Sequence, residues 1–312
     1  MTQTGELKGM RRIPDGTFMM GCADFYPEEG PVHQVSVSGF WMDEHAVTVA
    51  QFRRFAQATG YVTVAERSPD PAQYPEADPG VLVPGSLVFT PPARPVDLRN
   101  PRHWWTWAPG AQWRHPEGPG STVGGLERHP VTHVAYEDAA AFAAWAGKAL
   151  PSEAEWERAA RGGLEGATYA WGDELHPRGK VMANTWQGRF PWENLKAADH
   201  RGTAPVKRFP PNGYGLHEMT GNVWEWTSDF FAPRRLISSP ACCGPRDPRV
   251  DTPQASYARR QPGAHIPRRV VKGGSYLCAP NYCLRYRPAA RQGQAIETSS
   301  AHLGFRCVIR TR

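Results

Sequence analysis

Glycine and proline decide what this chain can become: it has 31 of each in 312 residues, about a fifth of the whole. Glycine weakens helix and strand interiors, and proline removes a backbone donor. Proline recurs at positions 69, 71, 75, 79, 84, 91, 92 and 95, so residues 66–128 are expected to be irregular. A helical bundle is excluded. Disorder is excluded as well, because 12 Trp and 12 Phe demand burial. Aromatics such as Trp104, Trp105, Trp107 and Trp113 must either fill the core through irregular backbone or line a groove. No linker and no internal repeat divides the sequence. The expectation is a single α+β domain over residues 1–312, with sparse regular structure and long ordered loops.

A few elements are nonetheless well signalled. Pro14-Asp15-Gly16 reads as a turn and His33 to Ser38 alternates like a strand. Thr48 is an N-cap for a helix over Val49 to Thr59, stopped by Gly60. Residues 129–134, HPVTHV, read as a strand, followed by a helix over Glu137 to Ala146 with Phe142 and Trp145 on one face. Ser152 and Glu155 form a capping box for the next helix, which Gly162-Gly163 ends. GFRCV near the C-terminus reads as a closing strand, and residues 232–267 as a loop.

The formal net charge is +6, from 36 Lys+Arg against 30 Asp+Glu. The basic residues are spread out apart from a C-terminal lean through Arg259, Arg260, Arg268, Arg269, Arg285, Arg287 and Arg291. There is no compact basic run and no nucleic-acid motif, so no nucleic-acid partner is expected. The N-terminal residues lack an apolar leader, and no run of about 18 apolar residues occurs. No membrane association and a cytoplasmic location are expected. Cys22, Cys242, Cys243, Cys278, Cys283 and Cys307 should then be mainly reduced.

Chemistry concentrates in Lys272 to Arg291, KGGSYLCAPNYCLRYRPAAR. Cys278 and Cys283 are five apart, which is neither a zinc-ribbon nor a thioredoxin-like spacing. Spacing alone leaves core thiols or a disulfide, a redox pair, and a soft low-coordinate metal site all open. The nearby arginines would favour thiolates. His129 and His133 lack the following carboxylate of an HxxxHxE iron site and read as structural. The oxygen-rich loops 184–199 and 218–225 could bind Ca²⁺ or serve turns only. Cys307 and Cys22 read as buried small residues, and Cys242-Cys243 as two reduced thiols in a loop. Hydrolase-elbow, P-loop and dinucleotide-binding motifs are absent.

GGSYLCAPNYCLRYRPAAR followed by HLGFRC closely resembles the formylglycine-generating enzymes, the sulfatase-modifying factors. The likeness continues through HPVTHVAYEDAAAFAAWAGKALPSEAEWERAARGG, YAWGDEL, ANTWQGRFP and NGYGLHEMTGNVWEW, in family order over most of the chain. The resemblance implies a C-type-lectin-like fold. It implies a monomeric oxidase that uses O₂ to convert the cysteine of a Cys-x-Pro-x-Arg segment, in an unfolded sulfatase, into Cα-formylglycine. Cys278 and Cys283 match the family's Cu(I) ligands, Ser275 and Tyr282 match residues beside the copper, and Trp224 matches a wall of the oxygen pocket. Two Ca²⁺ sites are implied. One takes Asn184 and Thr185, with Asp199 as the nearest carboxylate because Ala198 stands where the family has Asp. The other takes Glu218, Gly221, Val223 and Glu225. Ala143, Ala159 and Pro288 stand at three of the four cysteine positions that form disulfides in secreted members. Two rivals are an iron-dependent sulfoxide synthase, which needs the missing HxxxHxE site, and a non-catalytic peptide- or carbohydrate-binding module on the same scaffold.

Overall fold

In the computed structural model, which describes residues 7–73, 82–197, 201–234, 244–257 and 265–311, short strands and three α-helices are set among long ordered loops. Helix α1 (Val49–Thr59) begins where capping chemistry puts it. Gln51 N donates to Thr48 Oγ1, Thr48 N donates back to Gln51 Oε1 at 2.8 Å, and Gly60 ends the helix at φ +68°. Helix α2 (Tyr136–Trp145) has no side-chain oxygen at its cap, Ala135; Asp138 instead accepts the Ala135 N–H at 2.7 Å. Helix α3 (Glu153–Arg161) starts on the reciprocal Ser152–Glu155 box and ends at Gly162, φ +60°.

Strand β1 (Met10–Ile13) leads into a hairpin of β2 (Gly16–Met20) and β3 (His33–Val37), and β4 (Phe40–Asp43) pairs back on β1. A second hairpin joins β5 (Gly85–Phe89) to β6 (Trp105–Pro109). The largest sheet is antiparallel through β7 (Trp224–Phe230), β8 (Arg268–Lys272) and β9 (Arg291–Ala295), with β10 (Leu303–Gly304) added parallel to β7. Strand β11 (Val308–Arg310) returns to β4, so both ends of the chain share one sheet. Among the described residues no helix is long and apolar enough to cross a membrane.

Several expectations change. Residues 129–134 are not a strand: they make one bridge, Thr48 to Pro130, and His133 turns left-handed at φ +58°. Their N–H groups are satisfied across the fold, Val131 by Val47 O and His133 by Ser300 O. The proline-rich region holds the β5–β6 hairpin, and GFRCV is split between β10 and β11. Trp145 is half-exposed against Phe55 and Phe142, and Cys22 is only partly buried, 3.7 Å from Asp24. Cys242, Cys243, Ala198, Asp199, His200, Arg259 and Arg260 lie outside the described residues.

Two apolar clusters flank the large sheet. One joins Phe52 and Phe55 of α1 to Phe142 of α2, Trp113 and Phe305. The other seats Trp156, Ala159 and Ala160 of α3 against Ile13, Val35 and Met42. Helix α3 is buried along its whole length, charges included. Glu153 accepts from Arg291 at 2.7 and 2.8 Å and from Arg234 at 2.6 Å. Glu157 accepts from Lys272 at 3.0 Å and Arg161 at 2.8 Å, and Glu155 from Arg310 at 2.7 and 2.8 Å.

These carboxylates set the acid stability. Burial alone would raise Glu153 and Glu155. The arginines around them outweigh it: Arg291 and Arg234 at the first, Arg310 and Arg249 at the second, lower each from 4.5 to about 2. A depressed folded pKa contributes stability above the unfolded value that is lost as pH falls through the folded one. Asp138 and Asp229 run the other way: burial raises both to about 6, so their contribution is lost as pH rises through 6. The expected profile is an unfolding midpoint that holds or rises slightly from pH 7 to 5 and drops steeply from about pH 4.5 toward 2. Thermal melts across that range check it; a monotonic fall beginning at pH 7 would contradict it.

Candidate active site

Strands β8 and β9 pair with Lys272 opposite Arg291, and residues 273–290 between them leave the sheet and return to the same place. Both cysteines ride on that excursion. Its exit requires two left-handed residues in succession, Gly273 (φ +92°) and Gly274 (φ +69°). A Cβ on Gly273 would stand 2.7 Å from Met219 O, and one on Gly274 2.8 Å from the Arg285 carbonyl carbon, so space and conformation both demand glycine. The return is tied to the N-terminal region. Arg285 donates to Glu28 at 2.6 Å and lies over the Tyr26 ring, and Arg287 donates to Glu29 at 2.8 Å through Nη1. Tyr26 Oη accepts from Leu284 N at 3.0 Å. The arginines that look like a basic patch in the sequence are spent on carboxylates and rings.

Tight turns bring the two thiols together. Cys278 N donates to Ser275 O at 3.0 Å and Cys283 N to Ala279 O at 2.7 Å. The sulfurs are buried, free and 3.0 Å apart, so one hydrogen bond joins them. The pair titrates in two steps. Burial and the neighbouring sulfur push Cys278 well up; Cys283, which accepts the Cys278 hydrogen bond and sits beside Arg285, is lowered to about 7. Cys283 is therefore the first of the two to ionise, and Cys278 holds the proton that is lost second.

The thiols line a cleft of about 210 Å³ with Trp104, Trp224, Ser275, Tyr282 and His302. Tyr282 stacks on Phe190 at 4.4 Å, meets Trp104 edge-on, and stays partly exposed; burial and the two sulfurs raise its hydroxyl to about 12, so it is protonated at neutral pH. Ser275 is buried; its N–H points to Cys278 Sγ at 3.4 Å, and its Oγ lies 3.1 Å from His302 Nδ1. Trp224 opens β7, and its N–H donates to His302 O at 2.8 Å, so one bond fixes two walls. His302 was not singled out in the sequence. It packs on Trp105 at 4.7 Å and, lowered to about 3 by desolvation and nearby His133, is neutral. The signal was present in HLGFRC, whose histidine directly precedes β10.

Leu87 and Thr298 wall both this cleft and a neighbouring cavity of about 330 Å³, so the two adjoin. The second carries Asp70 and Glu137, the latter paired with Arg67 at 2.8 Å.

The five residues expected at the reaction centre thus meet in one cleft, and the candidate calcium ligands do not line it. Glu225 accepts from Trp156 Nε1 at 2.7 Å and from Arg306 at 2.7 and 2.8 Å. Glu218 is drawn instead to the backbone N–H groups of Lys207 and Phe209, both at 3.0 Å, and Gly221 N donates to Gly273 O. Asn184 is buried; its Nδ2 donates to Gly202 O and Asn222 Oδ1, and its Oδ1 accepts from Lys196 Nζ. Burial lowers Lys196 to about 8. Thr185 Oγ1 accepts from Gln187 at 3.3 Å. His129 and His133 serve structural bonds, to Thr203 and Ser86. Among the described residues no three His, Cys, Asp or Glu are grouped to hold a metal ion. The thiol pair, with two soft donors and an adjoining open cleft, fits an ion that accepts two sulfurs and keeps a free position; it does not fit zinc, which takes three or four protein ligands.

Gly274→Ala is expected to cost roughly 2 kcal/mol or more, from backbone strain and overpacking. Denaturant unfolding measures the loss, and faster alkylation of Cys278 and Cys283 in the variant would report a displaced loop. Unchanged stability would mean that the turn tolerates a side chain.

Comparison with known proteins gives a consistent picture. Residues 1–311 match the family model described as sulfatase-modifying factor enzyme 1-like domain. The chain is 53% identical over 304 residues to the formylglycine-generating enzyme of Mycobacterium tuberculosis, covering 95% of this chain and 96% of that one. It is 42% identical over 306 residues to the formylglycine-generating enzyme of Mus musculus, covering 96% of this chain and 75% of that one. The solved structure of PvdO from Pseudomonas aeruginosa, 22% identical, superposes with a TM-score of 0.61 over 98% of this chain and 97% of that one, which shows a shared fold.

Proposed function

We propose a function from one premise: this chain belongs to the family of sulfatase-modifying factor enzymes. It oxidises a cysteine of an unfolded sulfatase, within a Cys-x-Pro-x-Arg segment, to Cα-formylglycine, with O₂ as oxidant and Cu(I) held by Cys278 and Cys283. The observation that carries this reading is the pair of buried free thiols 3.0 Å apart in a cleft walled by Ser275, Tyr282 and Trp224.

Bound copper would supply the one-electron chemistry that ground-state O₂ requires. The rest falls to the chain. Cys283, which ionises near neutrality, and Cys278, which loses its proton second, offer two sulfurs from a fixed loop. The cleft admits the substrate thiol beside them. The Trp104, Trp105 and Trp224 rings exclude bulk water, which protects a reactive centre from side reactions. The Tyr282 hydroxyl is a donor, and the Ser275–His302 pair supplies a neutral donor and acceptor next to Cys278. In the net change the substrate loses one hydrogen from Cβ and one from sulfur. The thioaldehyde then takes up water and releases H₂S, leaving the aldehyde. Oxygen accepts those two electrons, and its reduction to water takes two more from two external thiols, which leave as a disulfide.

The adjoining cavity suits the arginine of the segment. Asp70 supplies an exposed carboxylate, while Glu137 is already paired with Arg67 in the same cavity. A monomer in the reducing cytoplasm fits the same reading: the four cysteines among the described residues are free thiols.

Copper-loaded protein given O₂, a thiol reductant and a Cys-x-Pro-x-Arg peptide is expected to yield aldehyde detectable by mass spectrometry. Cys278→Ser should lower kcat/KM on the order of a thousandfold, and a Cu(I) chelator should do the same to the wild type. Absence of aldehyde, or a fully active Cys278→Ser, overturns the assignment.

Asp70→Asn should raise KM for the arginine peptide about tenfold with little change in kcat, and should not affect a peptide with norleucine at the arginine position. Equal effects on both peptides would remove Asp70 from arginine recognition.

A further inference from the structure

We infer that the ammonium group of Lys196 replaces, at Asn184, the calcium ion that the family resemblance implies there. The inference concerns the scaffold and is independent of the oxidation chemistry. Calcium takes six to eight oxygens, carboxylates prominent among them, at about 2.3–2.6 Å. Among the described residues, the groups around Asn184 do not fit that demand. The side-chain oxygen of Asn184 is the proposed first ligand, and Lys196 Nζ donates to it. A calcium ion on the same oxygen would share its space with an ammonium and meet like charge.

The amide cannot escape by rotating. Its nitrogen donates at 3.0 Å both to Gly202 O and to Asn222 Oδ1, so reversing the group would break two good bonds and set nitrogen against the ammonium. Asn222 is itself held, accepting from Ala204 N at 2.8 Å and donating to Ala204 O at 3.1 Å. The Asn184 carbonyl is also engaged, by Asn222 N at 2.8 Å. At the position where the resemblance expects a carboxylate, the sequence has Ala198.

What a metal ion would do here is join the two ends of the loop that leaves at Asn184 and returns near Ala204. Here Lys196 ties the middle of the loop back to Asn184, whose amide nitrogen in turn reaches Gly202 O at the loop's end. Its own backbone is positioned for it: Lys196 N donates to Asn194 Oδ1 at 3.1 Å, Leu195 N to Gln187 O at 2.8 Å, and Arg201 Nε to Lys196 O at 3.1 Å. A lysine reaching an amide oxygen through such a frame is a preset cation, available without metal uptake.

The test is thermal unfolding of the full chain, with and without millimolar Ca²⁺ after chelation, in wild type, Lys196→Met and Asn184→Ala. Removing the ammonium should lower the wild-type Tm by roughly 3–6 °C, the scale of a lost charged hydrogen bond in a domain of this size. The Ca²⁺-dependent Tm shift of the wild type should equal that of Asn184→Ala, because any calcium effect must arise elsewhere. A Ca²⁺ shift present in the wild type and lost in Asn184→Ala would overturn the inference. So would a Lys196→Met protein as stable as the wild type. Calcium content after gel filtration gives a second readout: stoichiometric metal that disappears with Asn184→Ala also overturns it.

Discussion

The buried ion pairs on α3 are the constraint on which the rest of the structure depends. Glu153 and Glu157, one turn apart, take Arg291, Arg234, Lys272 and Arg161 in a region nearly closed to water. Each such charge loses several kcal/mol of hydration, and only close, well-directed partners offset the loss. An apolar core of the same volume could be as stable, but it would not be as directional. Lys272 is the last residue of β8 and Arg291 the first of β9. The two carboxylates therefore clamp the two feet of the 273–290 excursion, and the loop that holds the thiols inherits its position from a helix with no atom in the cleft.

From that base the site is assembled by exclusion. The neighbouring cations are paired: Arg285 and Arg287 with Glu28 and Glu29, Arg306 with Glu225. Aromatic rings fill the sides. The polar groups that line the cleft are the thiol pair, the tyrosine hydroxyl, the neutral Ser–His contact, Arg285 in its ion pair with Glu28, and the uncharged Gln292, Gln294, Thr298 and Ser300. A surrounding of full cations would overstabilise two thiolates; a fully apolar one would leave both sulfurs protonated. With Arg285 near Cys283, the pair loses its first proton near neutrality and holds the second on Cys278.

How much of this was legible in the sequence follows from the range of each interaction. Caps act within four residues, so α1 and α3 could be read from Thr48–Gln51 and Ser152–Glu155. The thiol pair spans five residues and its context carried it. The 129–134 segment alternates like a strand, but a left-handed His133 and partners at Val47 and Ser300 override the pattern. The β5–β6 hairpin was hidden by prolines that lie outside its ladder or at its edge, Pro109 closing β6. Nothing local marks Glu29 as the partner of Arg287, 258 residues away, or His302 as the partner of Ser275. The aromatic choice between core and groove had both answers: Trp104 is buried and lines the cleft.

The same range argument explains why the Asn184 loop matters to a cleft that it does not line. Trp186 N donates to Cys278 O at 2.9 Å, and Tyr276 N donates to Asn222 O at 2.9 Å. Asn222 and Asn184 are bonded to each other through backbone and side chain. A continuous run of hydrogen bonds therefore links Lys196, through Asn184 and Asn222, to Tyr276, and Trp186, two residues on from Asn184, holds Cys278. In a fold with so little regular structure, loops take the place of sheet and helix as the rigid frame, and each must be closed by something. On the α3 side the closure is buried charge. On the Asn184 side it is an ammonium on an amide oxygen together with the amide's own bonds to Gly202 and Asn222. Both devices are made from the chain itself, so side chains of the chain close the frame around the thiols on both sides.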